Sequence, residues 1–196
     1  MSAEPYRCIV ADPPWKESGG GRVKRGADRH YPLLPKEEIV RVMLQSPEWR
    51  PDHAGCHLWL WATRNHLPDA FWVMEALGFR YVTDFVWVKG HLSSSYGNER
   101  QYRLARPGLG QYSKSLHEHL LLGRIGGTMK PRTGDRPLSV GICSRPTEAD
   151  GKPVHSAKPR WVYRNIIEPV SSEPRLEMFA REQQEGWTCV GEELCL

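Results

Sequence analysis

Asp12-Pro13-Pro14-Trp15 closes the apolar run Cys8-Ile9-Val10-Ala11. Four such residues read as a short strand buried on both faces, and neither proline can donate to a neighbouring strand, so the sheet ends at the acid. The carboxylate is thereby placed at a strand's carboxyl end, where open α/β sheets bind ligands. The two prolines fix the backbone and are expected to leave two carbonyl groups pointing outward, with a flat indole beside them. A rigid cluster of acceptors next to an aromatic suits a planar group that bears an amine. An ordinary strand-to-loop turn has the same composition, so the rest of the chain has to decide between the two.

Residues 35–44 read as a helix, with Pro35 at the start, Lys36, Glu37 and Glu38 toward solvent, and Ile39, Val40, Met43 and Leu44 at core spacing. Residues 57–63 form the next strand, 66–77 a helix stopped by Gly78, and 81–89 another strand. This alternation predicts an α/β fold with a mostly parallel sheet and helices packed on it. A late apolar strand follows His117-Glu118-His119, and a helix opens at Pro159 with Trp161, Val162, Ile166 and Ile167 as its apolar positions. The last strand, 175–181, runs into the polar stretch Glu182-Gln183-Gln184-Glu185.

A length of 196 residues fits one sizeable domain, here 1–196, and 39% hydrophobic with 26% charged residues is the composition of a soluble globule. No apolar run approaches the roughly 20 residues that span a bilayer. The short polar start, residues 1–5, is unlike a signal peptide, and the five scattered cysteines contain no CxxC pair, so a cytoplasmic setting without a disulfide framework is expected. His53, Cys56 and His57, and likewise His117 and His119, lack zinc-site spacing, so no metal is expected. A hydrolase built on those histidines stays as the rival that bound zinc would support. The formal charge is +4, and it is unevenly spread: residues 90–136 hold eight Lys or Arg against three acids. With residues 16–30, 90–115 and 126–157 taken as flexible basic loops around the site, a polyanionic partner follows from counterion release.

Ala11-Asp12-Pro13-Pro14-Trp15 resembles the catalytic motif of the MT-A70 family of adenine-N6 methyltransferases. Further segments in the family's order resemble it as well: His117-Glu118, His155-Ser156-Ala157-Lys158-Pro159, Glu177-Met178-Phe179-Ala180-Arg181, Gly186-Trp187 and Gly191-Glu192-Glu193. Glu192 stands where the family usually has asparagine. Each segment alone is weak evidence, while the ordered set spans nearly the whole chain. The resemblance implies a Rossmann-like domain of permuted order, with the catalytic strand first and the cofactor strand last. It also implies S-adenosylmethionine as cofactor.

By the same resemblance, Asp12, Pro13, Pro14 and Trp15 are catalytic, with the Asp12 carboxylate and the Pro13 carbonyl accepting the amine's two N–H bonds and Trp15 stacking on the base. Tyr31 and Glu118 would meet the adenine. Asp12, Lys158, Phe179, Arg181, Gln183 and Glu193 would hold the cofactor, with Lys158 on its carboxylate. The substrate would be adenine in DNA or RNA, and the compact chain favours DNA. Two alternatives remain at this point, an RNA adenine methyltransferase and a catalytically inactive nucleic-acid-binding partner subunit on the same fold.

Overall fold

The computed structural model describes residues 4–16, 33–96, 99–107, 112–134, 136–147, 154, 157–191 and 194. At its centre is β1, Cys8–Ala11, every residue of which is buried. β1 pairs in parallel with β2, Gly55–Ala62, on one side and with β7, Arg175–Met178, on the other. A strand with neighbours on both edges and cover on both faces has no solvent side, which is why β1 and β2 read as continuous apolar runs.

Alternate residues of β1 serve two cores. Ile9 and Ala11 pack with Ile39 and Met43 of helix α1, Lys36–Gln45, and with Ala70, Val73 and Met74 of α2, Leu67–Ala76. Cys8 and Val10 face the other way, onto Trp59, Trp61, Phe85 and Trp87 and onto helix α3. α3 spans 160–170; its first and last turns, Arg160–Val162 and Glu168–Val170, are α-wound and its middle, Tyr163–Ile167, is π-wound. Helices therefore cover both faces, α1 and α2 on one and α3 on the other.

Among the described residues the sheet has eight strands in the order β4-β3-β5-β2-β1-β7-β8, where β3 is Arg80–Tyr96, β4 Glu99–Leu104, β5 His117–Gly126 and β8 Thr188–Val190, with β6, Val140–Cys143, added beside β3. It is mixed, which corrects the mostly parallel sheet expected from the helix and strand alternation. β5, His117–Gly126, lies between β2 and β3 and runs antiparallel to both. The alternation does fix the common direction of β1, β2 and β3, Arg80–Tyr96, but it is silent about a later strand returning between two earlier ones. Residues 90–96, expected within a loop, instead extend β3 and pair it with β4, Glu99–Leu104. The strand of β7 stops at Met178 rather than continuing to Arg181, because Phe179 turns the backbone into the left-handed region at φ 61°. β8, Thr188–Val190, then returns parallel to β7.

Leu176 is wholly buried in β7 opposite Ile9 of β1. Leu176→Ala is expected to lower stability by about 2–5 kcal/mol through lost burial and the cavity left behind. Chemical denaturation measures it, and a loss below about 1 kcal/mol would contradict this placement of the core.

Candidate functional site

The carboxyl ends of β1, β2 and β7 share one edge of the sheet. β5 runs the opposite way, so its amino end reaches the same edge: His119 lies opposite Ala62, and Glu118 opposite Trp87. Asp12, Glu118 and Phe179, far apart in the chain, are gathered along that edge.

Lys158, two residues before α3, points back into the group. Its ammonium donates to Asp12 Oδ2 at 2.7 Å and lies 3.4 Å from Glu118 Oε2. It also sits 5.5 Å above the ring of Trp61, on the α3 side of the sheet. Glu118 accepts a second ammonium, that of Lys89 on β3. The result is an alternating line of charges, Lys89, Glu118, Lys158 and Asp12, on a floor formed by Trp61 and Trp87.

Burial pushes the Asp12 carboxyl up, and the ammonium of Lys158 offsets this only in part, so the group stays above its ordinary value. For Glu118 burial acts in the same direction, but two lysines outweigh it and the net shift is downward. Burial disfavours the charged form of Lys158, yet Asp12 and Glu118 together raise its pKa. Glu118 and Lys158 are thus shifted toward their charged forms in a largely dehydrated place, while the balance at Asp12 runs toward the neutral one.

A cavity of about 420 Å³ opens beside this group, with Asp12, Lys158, Glu177, Phe179 and Arg181 in its wall. Glu177, on β7, accepts a hydrogen bond from the Tyr163 hydroxyl at 2.7 Å and one from the Gln184 amide at 3.1 Å. Burial raises its pKa. Arg160 completes the wall, and one of its guanidinium nitrogens is buried without a hydrogen-bond partner among the described residues. The π-wound turn of α3 carries Tyr163, and such turns recur at functional sites. A larger hollow of about 550 Å³ lies at the opposite edge, around Glu173 and Arg175, away from the sequence candidates.

The remaining candidates are placed as follows. Trp15 is 8% exposed, stacks on His66 with ring centroids 5.7 Å apart, and donates its indole N–H to the Trp61 carbonyl at 2.9 Å. It braces the loop after β1. The proline carbonyls are engaged: that of Pro13 accepts from the Trp15 amide at 2.9 Å, and that of Pro14 from the Leu34 amide at 2.8 Å. A carbonyl oxygen has two lone pairs, so Pro13 keeps one for a further donor. Gln183 is exposed, and its neighbour Gln184 lines the cavity instead. Tyr31 and Glu193 lie outside the described residues.

Glu177, Tyr163, Arg160 and Lys89 were not among the sequence candidates. For Glu177 the signal was present, as a lone acid between Leu176 and Met178 in a buried strand has to find partners. Tyr163 gave none, because its direction depends on the π turn. Among the described residues, no three His, Cys, Asp or Glu side chains are grouped to hold a metal ion, and His57 Nδ1 is instead 2.9 Å from Ser171 Oγ.

Removing the central cation tests the electrostatics. Lys158→Met leaves two buried carboxylates facing each other, and the expected cost at pH 7 is about 3–5 kcal/mol. Without the lysine both carboxyl groups titrate higher. The gap from the unaltered protein therefore shrinks as pH falls and they take up protons. Denaturation midpoints across that range measure it, and a gap independent of pH would contradict the arrangement.

The MT-A70 family profile matches residues 6–193. A protein named Type II methyltransferase M.MunI, from Mycoplasma sp, is 27% identical over 207 residues, which cover 96% of this chain and 78% of that protein.

Proposed function

The chain belongs to the MT-A70 family, and from that premise we propose that it transfers a methyl group from S-adenosylmethionine to the N6 amine of adenine in nucleic acid, with DNA preferred. The observation that carries this reading is the meeting of Asp12 and Lys158 at 2.7 Å beside a cavity walled by β7. With both parts of the site on one sheet, the chain acts as a single methyltransferase domain.

The wall residues fit the cofactor's chemistry. Its methionine end is a zwitterion, and the cavity offers cations for the carboxylate, Lys158 with Arg160 beside it, and carboxylates for the ammonium. The guanidinium nitrogen of Arg160 that lacks a partner among the described residues is a donor for such a carboxylate. Glu177 and Gln184 supply acceptors and donors for ribose hydroxyls, and Phe179 and Arg181 border the same space. Glu193 and Tyr31 keep the adenosine-end and base-side roles that the family motif gives them. When bound, S-adenosylmethionine supplies an electrophilic methyl on a sulfonium.

The chain's own task is alignment. The lone pair of an adenine amine is delocalised into the ring, and Asp12 together with the remaining lone pair of the Pro13 carbonyl accepts both N–H bonds. That holds the nitrogen pyramidal, with its lone pair directed at the methyl group. Glu118 stands beside Asp12 at the adenine side of the edge. Trp15 contributes by fixing the Asp12-Pro13-Pro14 backbone through its bond to Trp61. Asp12, ionised as the reaction begins, takes the amine proton or passes it to water after transfer. In duplex DNA the adenine has to leave the stack, at a cost of a few kcal/mol that protein contacts offset.

Labelled-methyl transfer to adenine-containing DNA and RNA is the test. Asp12→Ala is expected to reduce transfer at least about 100-fold with the fold retained, and transfer that survives the change would remove Asp12 from the mechanism. Because Asp12 has to be ionised and its pKa lies above the ordinary 3.8, kcat/KM should fall on the acid side with a limb above that value. A profile flat down to pH 4 would contradict this role.

A further inference from the structure

β3 outlasts its partner in the sheet. Its pairing with β5 ends at Val88 opposite His117, but the strand continues to Tyr96, where β4 alone holds it among the described residues. At about 3.3 Å per residue, the extension over 90–96 is about 20 Å long. It starts at the sheet edge that carries Asp12 and Glu118. Every residue at 91–95 and 100–104 is exposed, so this is a two-stranded ribbon bare on both faces. Such a ribbon is marginal in water without something packed against it.

The two faces differ. Leu92 lies opposite Tyr102, and with Leu104 they make one face. His91 lies opposite Arg103 and Ser94 opposite Gln101, which makes the other face polar. The Ser94 hydroxyl donates to the Gln101 carboxamide oxygen at 3.0 Å and so restrains that side chain. In sequence the segment 90–107 carries Arg100, Arg103 and Arg106 against the single acid Glu99. The net positive charge complements a phosphate backbone.

A B-form major groove is about 12 Å wide and admits a two-stranded ribbon, and there the arginine fork matches guanine O6 and N7 while a carboxamide matches adenine N6 and N7. The deep, narrow major groove of A-form RNA excludes such a ribbon. We propose that the β3–β4 ribbon enters the major groove of duplex DNA beside the target adenine and reads the neighbouring sequence there through Arg103 and Gln101. This rests on the nucleic-acid reading above and adds to it the element that selects the site.

The experiment takes duplexes retained by the full chain from a random-sequence pool and probes guanine N7 with dimethyl sulfate. The unaltered protein is expected to protect a guanine near the target adenine. Arg103→Ala should lose that protection and relax base preference at the same position by about 5- to 100-fold. Arg103→Lys keeps the charge but not the fork, and should lose preference while holding most of the affinity. The proposal is overturned if N7 stays reactive in the complex, if Arg103→Lys keeps the full preference, if no duplex is retained, or if the ribbon variants alter only self-association in sedimentation. Methyl transfer by the unaltered chain to a single-stranded adenine oligonucleotide is measured in parallel. Transfer without groove protection overturns the ribbon alone, and protection without transfer overturns the methyltransferase reading alone.

Discussion

The structure turns on one buried ammonium. Lys158 lies between Asp12 and Glu118 over the ring of Trp61, and without it two carboxylates would face each other in a place with little water. Coulomb attraction is strong there, but it offsets desolvation only where the geometry is good and the remaining hydrogen-bonding positions are filled. Lys89 on the far side of Glu118 and the apolar floor of tryptophans meet that requirement. The proposed amine substrate would need acceptors that are dehydrated and fixed, and a captive cation draws both carboxyl groups toward the ionised form.

The sheet makes the group possible by topology rather than by proximity in sequence. β1 and β7 are neighbours in space and at opposite ends of the chain. β5, running antiparallel, delivers its first residues to the edge where the parallel strands deliver their last. The left-handed turn at Phe179 then carries the chain sharply off the end of β7, leaving room for a cavity where a longer strand would have continued.

Much of this was legible from residue types. The β1 strand and the acid after it followed from the apolar run and two prolines, and α1 and α2 followed from period and punctuation. That Asp12 and Lys158 belong to one site is implied by the family resemblance alone, since no local pattern links positions so far apart in the chain, and their direct ion pair is legible in neither. The parallel sheet was misjudged because alternation describes consecutive elements, whereas β5 inserts between strands formed earlier. The family resemblance implies that Trp15 stacks on the base, and a ring beside two prolines can turn inward as well as outward. Here a buried carbonyl of Trp61 and the ring of His66 decide its direction. Glu177 and Tyr163 went unnoticed for a related reason, as their pairing needs the π turn of α3 and the end of β7 at once.

In the proposed function the ends of β1 and β7, with Lys158 held on Asp12, form one cofactor cleft. Calorimetric titration with S-adenosylhomocysteine, the demethylated product, addresses it most directly. One binding site per chain is expected, weakened about 10-fold or more by Glu177→Gln on the β7 side and by Lys158→Met on the β1 side. Binding that is absent from the unaltered protein, or indifferent to both substitutions while the fold is retained, would contradict it.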